Sequence, residues 1–314
     1  MIELAVSDSA DRRHFADTLA AHVAARETQL VLGLDPDPAR LWPQALEEAP
    51  THGDPARRAA GAVAAHCRAL IDAAGAECVA VKPQLACFER LAAPGWQALA
   101  DVVDHARAAG LLVLADGKRG DVPVTASAYA QGLIGSTPTP FGEVGGLRAD
   151  AATVNPLLGI DALEPLVAAA RAAGAGLFVL VRTSNAGAAD IEDLALAEGG
   201  SVWTRIATIV AHLGEAAIGS SGLSDIGAVV GATVPEHLER MRELMPHAVF
   251  LLPGIGAQGG SVEMLAPAFA PGRAGGLVTA SRSIANAHDD VGGDPAQAAR
   301  AEAARLRQAA WALT

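Results

Sequence analysis

The stretch LLVLADGKRGD, residues 111–121, joins five apolar residues directly to a turn crowded with charge. A short apolar run that stops at Asp116 reads as a buried parallel strand, and the charged turn as the loop leaving its C-terminal end. Asp116 and Lys118 are two residues apart, so on an extended strand both side chains face the same way, toward a barrel axis.

Seven further apolar runs of strand length surround this one, at residues 30–34, 78–81, 152–154, 177–181, 226–231, 249–252 and 276–280. Their near-continuous hydrophobicity fits strands covered on both faces. The segments between them, for example 56–74, 96–109 and 234–245, carry apolar residues at helical spacing and end at Gly75, Gly110 and Pro246. Eight β/α units predict a (β/α)8 TIM barrel, a closed parallel eight-stranded sheet, with residues 1–314 forming one barrel domain. A helix at 12–26 is expected to cover the barrel bottom or flank it. Residues 183–224 are read as a long insertion carrying a helix at 202–212, and 135–146 as a second loop insertion.

Composition narrows the class. With 51% hydrophobic but only 4% aromatic residues, the core must be built from Ala, Val, Leu and Ile. Cys67, Cys78 and Cys87 are odd in number and lack a C-x-x-C spacing, so they predict neither a disulfide framework nor a zinc site. No run approaches the ~20 apolar residues of a membrane span, and no cleavable leader is recognised at the start, so a cytoplasmic protein without membrane association is expected. A net charge of -12 argues against general nucleic-acid binding, although a small phosphorylated ligand needs only one or two local cations.

In such a barrel the chemistry sits at the C-terminal strand ends. The first run ends in Asp35, the second in Lys82, the third in Asp116 with Lys118 and Asp121, the fourth in Asn155, and the fifth in Arg182, Thr183, Ser184 and Asn185. Lys82, Asp116, Lys118 and Asp121 are expected to form an array of alternating charge. Opposite charges ~4 Å apart attract by about 4 kcal/mol at an effective dielectric of ~20, which keeps each member ionised in a partly buried site. The last two runs end in glycine-rich turns bearing Gln258 and Arg282, a pattern suited to phosphate. His52, His66, His105, His212, His237 and His247 fall away from strand ends and are given no catalytic role.

The segments LVLGLDPDP (30–38), VAVKPQLACFE (79–89), LADGKRGDVPVTASAY (114–129), ATVNPLLG (152–159), VRTSNAGA (181–188), LLPGIGAQGG (251–260) and ASRSI (280–284) together resemble the orotidine 5'-phosphate decarboxylase family, in its longer-chain (type 2) subgroup. DGKRGD is the most specific of them. The resemblance implies that Lys118 protonates C6 of the pyrimidine as CO2 leaves and that Asp116 sits against the substrate carboxylate. It also implies a homodimer with shared active sites, in which Asp121 and Thr125 reach the nucleotide of the other subunit. Asp35 and Lys82 match ribose contacts, Asn155 a residue near the ligand, Ser184 a contact to the ring, and Gln258 with Arg282 the phosphate grip. No cofactor and no metal are implied. A magnesium-dependent sugar-phosphate decarboxylase shares the barrel and the D-x-K-x-x-D turn, but its second strand ends in a carboxylate where this chain has Lys82. A silent nucleotide-binding barrel is the remaining alternative.

Overall fold

The structure, a computed structural model, describes residues 14–232, 237–254 and 262–314. Its strands are β1 (Leu30–Leu34), β2 (Ala80–Pro83), β3 (Leu112–Arg119), β4 (Ser136–Thr139), β5 (Gly142–Gly145), β6 (Ala151–Val154), β7 (Gly176–Arg182), β8 (Ile226–Val230), β9 (Phe250–Leu252) and β10 (Gly276–Ala280). Eight of them close into a parallel barrel in the order β1-β10-β9-β8-β7-β6-β3-β2, with β4 and β5 standing apart as an antiparallel hairpin. The (β/α)8 barrel expected from the eight apolar runs is therefore the observed fold.

Alternation along each strand divides the apolar residues between two layers. Leu30, Leu32, Val81, Val113, Ala115 and Val179 face outward and pack with the surrounding helices. The helix Pro55–Ala74 is representative. Asp54 caps it by accepting from Arg57 N at 2.9 Å, proline occupies its first turn, and Val63, Leu70 and Ile71 are buried. Val31, Leu112, Leu114, Phe178, Leu251 and Leu277 face the other way and fill the barrel interior.

The helix Phe15–Arg26 contributes Phe15, Ala16, Leu19 and Val23 to that interior cluster, so of the two placements expected it takes the barrel bottom. Phe15 meets Phe178 edge to face, with ring centroids 5.9 Å apart. It lies over Gly176, the first residue of β7, where any Cβ would fall 2.2 Å from the Phe15 ring. Asp17 fixes the helix start by accepting from Ser220 N and Ser221 N at 2.9 and 2.7 Å. At its other end Arg26 donates to Cys78 O and Gly75 O.

One loop reading needs correction. The helix Val202–Glu215 packs on both β7 and β8, which makes it the ordinary crossover between them rather than part of an insertion. Only residues 183–201 are extra. The second insertion, at 135–146, carries the β4–β5 hairpin, an antiparallel ladder of four residue pairs. The cysteines are free, and burial pushes the Cys67 and Cys78 thiols up. Arg242, which no sequence pattern singled out, is buried with no carboxylate partner among the described residues. Its guanidinium donates to the carbonyls of Met245, Ala248, Ala268 and Gly275, and burial lowers its pKa to about 9.

Candidate active site

The inward faces that carry apolar residues near the bottom of the barrel carry polar ones two residues further on. Leu112 and Leu114 are followed on β3 by Asp116, Ala80 on β2 by Lys82, Ala151 on β6 by Thr153, and Leu277 on β10 by Thr279. Above this layer a cavity of about 440 Å³ opens at the C-terminal strand ends, with Asp35, Lys82, Asp116, Lys118, Ser184 and Arg282 in its wall.

Asp116 is its electrostatic centre. The carboxylate is only 4% exposed, and it accepts from Lys82 Nζ at 2.5 Å, Lys118 Nζ at 2.7 Å, Thr153 Oγ1 at 2.8 Å and Gln84 Nε2 at 3.3 Å. Burial alone would raise its pKa, but the ammonium groups of Lys82 and Lys118 outweigh burial and hold the carboxyl well below the usual carboxylate range. The same balance acts on Lys82. Burial works to discharge it, and the charges of Asp116 and Asp35 overcome burial and raise its pKa. Lys82 lines the cavity with little of its surface exposed, whereas the Lys118 side chain is 42% exposed there.

Lys118 does not sit on a straight strand, as its spacing from Asp116 had suggested. The β3–β6 register shifts between Ala115 and Arg119, and Lys118 has φ +48°. A bulge with one residue in the left-handed region thus turns the lysine over Asp116. Lys118 N donates to Thr153 Oγ1 at 2.9 Å. Arg119 is tied to Glu89, and Gly120 passes so close to Asn155 O that a Cβ would lie 2.6 Å from it.

The remaining candidates divide. Asp35, Ser184 and Arg282 line the cavity. Asp121 does not join the charged array expected of it within one chain: its carboxylate accepts from Val122 N at 2.7 Å, outside the cavity wall. Thr125 is exposed on the helix Pro123–Leu133 that follows. Asn155 accepts from Leu157 N at 3.0 Å and shapes its own turn. Gln258 lies outside the described residues. Arg182 is structural, held by Asp193 through two contacts of 2.9 Å. Thr153, Gln84 and Glu192 were missed. Thr153 could have been found by counting two residues on from Ala151, but nothing in the sequence marks Glu192, which lines the cavity and accepts from Thr183 N at 2.8 Å.

Fold and site together define a (β/α)8-barrel enzyme with paired charges at its strand ends. Residues 28–301 match the orotidine 5'-phosphate decarboxylase / HUMPS family, and the chain belongs to it. It is 42% identical over 301 residues to an orotidine 5'-phosphate decarboxylase of Deinococcus radiodurans, covering 93% of this chain and 95% of that one. To the enzyme of the same name from Rhodopirellula baltica it is 40% identical over 280 residues, 87% and 89% of the two chains. Among solved structures, Leishmania donovani OMP decarboxylase superposes with a TM-score of 0.70 at 30% identity, covering 96% of this chain and 98% of that one.

Proposed function

We propose that the protein decarboxylates orotidine 5'-phosphate to uridine 5'-phosphate and CO2, a step of pyrimidine nucleotide biosynthesis, without metal or cofactor. The observation that carries this reading is the Lys82–Asp116–Lys118 chain of charge along the cavity wall, with Lys82 and Asp116 buried and Lys118 half-exposed. Breaking the bond between C6 and the carboxylate leaves an electron pair in the plane of the ring, where the π system cannot delocalise it. A fixed cation beside C6 must stabilise it. Lys118 supplies that cation and then the proton that C6 takes up, and solvent reprotonates the amine. Asp116, held ionised by two lysines, stands against the substrate carboxylate and favours its departure as neutral CO2.

Asp35 and Lys82 hold the ribose, Ser184 reads the ring, Asn155 stands near the ligand, and Arg282 with Gln258 grips the phosphate. Barrier reductions of ~8 to ~23 kcal/mol exceed what one ion pair supplies, so binding energy from the remote phosphate contributes to catalysis. The family as matched also covers a second kind of chemistry. A magnesium-dependent reading is disfavoured because the cation of Lys82 occupies the place of a metal-binding carboxylate and repels Mg2+.

The reading extends to assembly. The protein acts as a homodimer, with residues 1–314 one domain of the longer-chain type 2 kind, in the cytoplasm. Asp121 and Thr125 lie outside their own cavity, and the apolar side chains of Val122 and Val124, adjacent to them in the chain, are exposed, which supports a second copy that would receive both residues. Lys118→Ala and Asp121→Ala chains should each lose about 10³-fold or more in kcat. Mixed and allowed to exchange subunits, they should regain activity through hybrid dimers carrying one intact site. Near-normal kcat in Lys118→Ala would overturn the assignment of the proton donor, and no recovery after verified exchange would overturn the shared site.

A further inference from the structure

We infer that Thr153 is a positioning residue for the reaction: its hydroxyl ties the Lys118 backbone to the Asp116 carboxylate and thereby sets where the Lys118 ammonium stands. The inference rests on the reading of Lys118 as the proton donor. Thr153 lies on β6, is 1% exposed and is absent from the cavity wall, so it acts through its neighbours and not on the substrate.

A hydroxyl has one proton to give and two lone pairs to receive. Thr153 Oγ1 uses both capacities at once, donating to Asp116 Oδ1 at 2.8 Å and accepting from Lys118 N at 2.9 Å. Both partners line the cavity. The β3 bulge creates the need for such a bond. Between Ala115 and Arg119 the parallel ladder slips, and the Lys118 N–H takes the Thr153 hydroxyl as its acceptor. A lysine at φ +48° has its Cβ crowded against its own backbone, and such a conformation persists only where the surroundings impose it. The hydroxyl is well placed to impose it, since it fixes the backbone nitrogen and the far end of the same residue's ion pair from a single atom. Without it, the backbone at 118 is free to relax toward negative φ, and the ammonium swings with Cα and Cβ. Displacements of about 1 Å at a reacting group cost on the order of 10²-fold in rate.

The test compares steady-state kcat and KM of Thr153→Val, which keeps the shape and removes the hydroxyl, with Thr153→Ser, which keeps the hydroxyl and removes the methyl. Lys118→Ala is run beside them. The valine variant should lose about 30- to 100-fold in kcat with KM within about twofold, and the serine variant should stay within about threefold of the parent in both. Should the valine variant fail to fold, as read from its melting curve, Thr153→Ala takes its place with the same expectation. A hydroxyl-free variant that folds and keeps kcat within about threefold overturns the inference, and so does a serine variant that falls as far as valine, because the methyl's packing would then be what matters. Normal turnover by Lys118→Ala overturns the underlying reading instead, and parent-like Thr153→Val beside an inactive Lys118→Ala removes the positioning role alone.

Discussion

The two ends of the barrel are built from the same strands and filled by opposite chemistry. At the N-terminal end, Leu112, Phe178, Leu251 and Leu277 share one apolar cluster with the buried face of the helix Phe15–Arg26. Two residues beyond Leu114, Ala80 and Ala151 of the same cluster, the inward face carries Asp116, Lys82 and Thr153, and a cavity replaces the plug. The bottom is dry and packed, so it gains stability from burying apolar area. The top instead accepts the desolvation of three charges, compensated by mutual pairing, and gains a pre-organised field where charge moves in the reaction. Stability and function are thus sorted along a single axis, within about two residues on β2, β3, β6 and β10.

That division can be tested by damaging each end separately. At the top, Lys82→Met leaves Asp116 buried with one cation fewer. Turnover should fall by more than about 10³-fold, and because breaking a buried pair costs roughly 3 kcal/mol, the melting temperature should fall as well. A variant with unaltered kcat would show that the buried lysine has no part in the field. At the bottom, Phe15→Ala removes a ring from the plug and should destabilise by about 3 kcal/mol, while kcat per folded molecule remains unchanged. Denaturant unfolding paired with active-site titration measures both. A large loss of kcat there would mean that the two ends are coupled and the division is false.

The contrast also explains how far the sequence could be read. The barrel was legible because eight apolar runs of strand length alternate with helical segments, the count of a closed (β/α)8 sheet, and the placing of Lys82, Asp116, Asp35, Ser184 and Arg282 on the cavity wall followed from their position just after those runs. Residue counting reports which face a side chain takes, but not which atoms meet across strands. Thr153 was hidden inside an apolar run, and its two hydrogen bonds depend on a register slip that no local pattern signals. The left-handed Lys118 was missed for the same reason. Glu192 approaches the cavity from residues 183–201, where chain path is set by tertiary contacts such as Arg182 with Asp193 rather than by periodicity. Asp121 was placed in the wrong company within one chain, since its carboxylate caps the turn to Val122, away from the array.

The account depends most on the claim that paired side-chain charges, with no metal, carry the decarboxylation. The direct measurement is the loss of ultraviolet absorbance of orotidine 5'-phosphate on addition of the purified protein after exhaustive treatment with EDTA. The account predicts turnover at the same rate with and without the chelator. Absence of turnover, or a rate abolished by EDTA and restored by Mg2+, would contradict it.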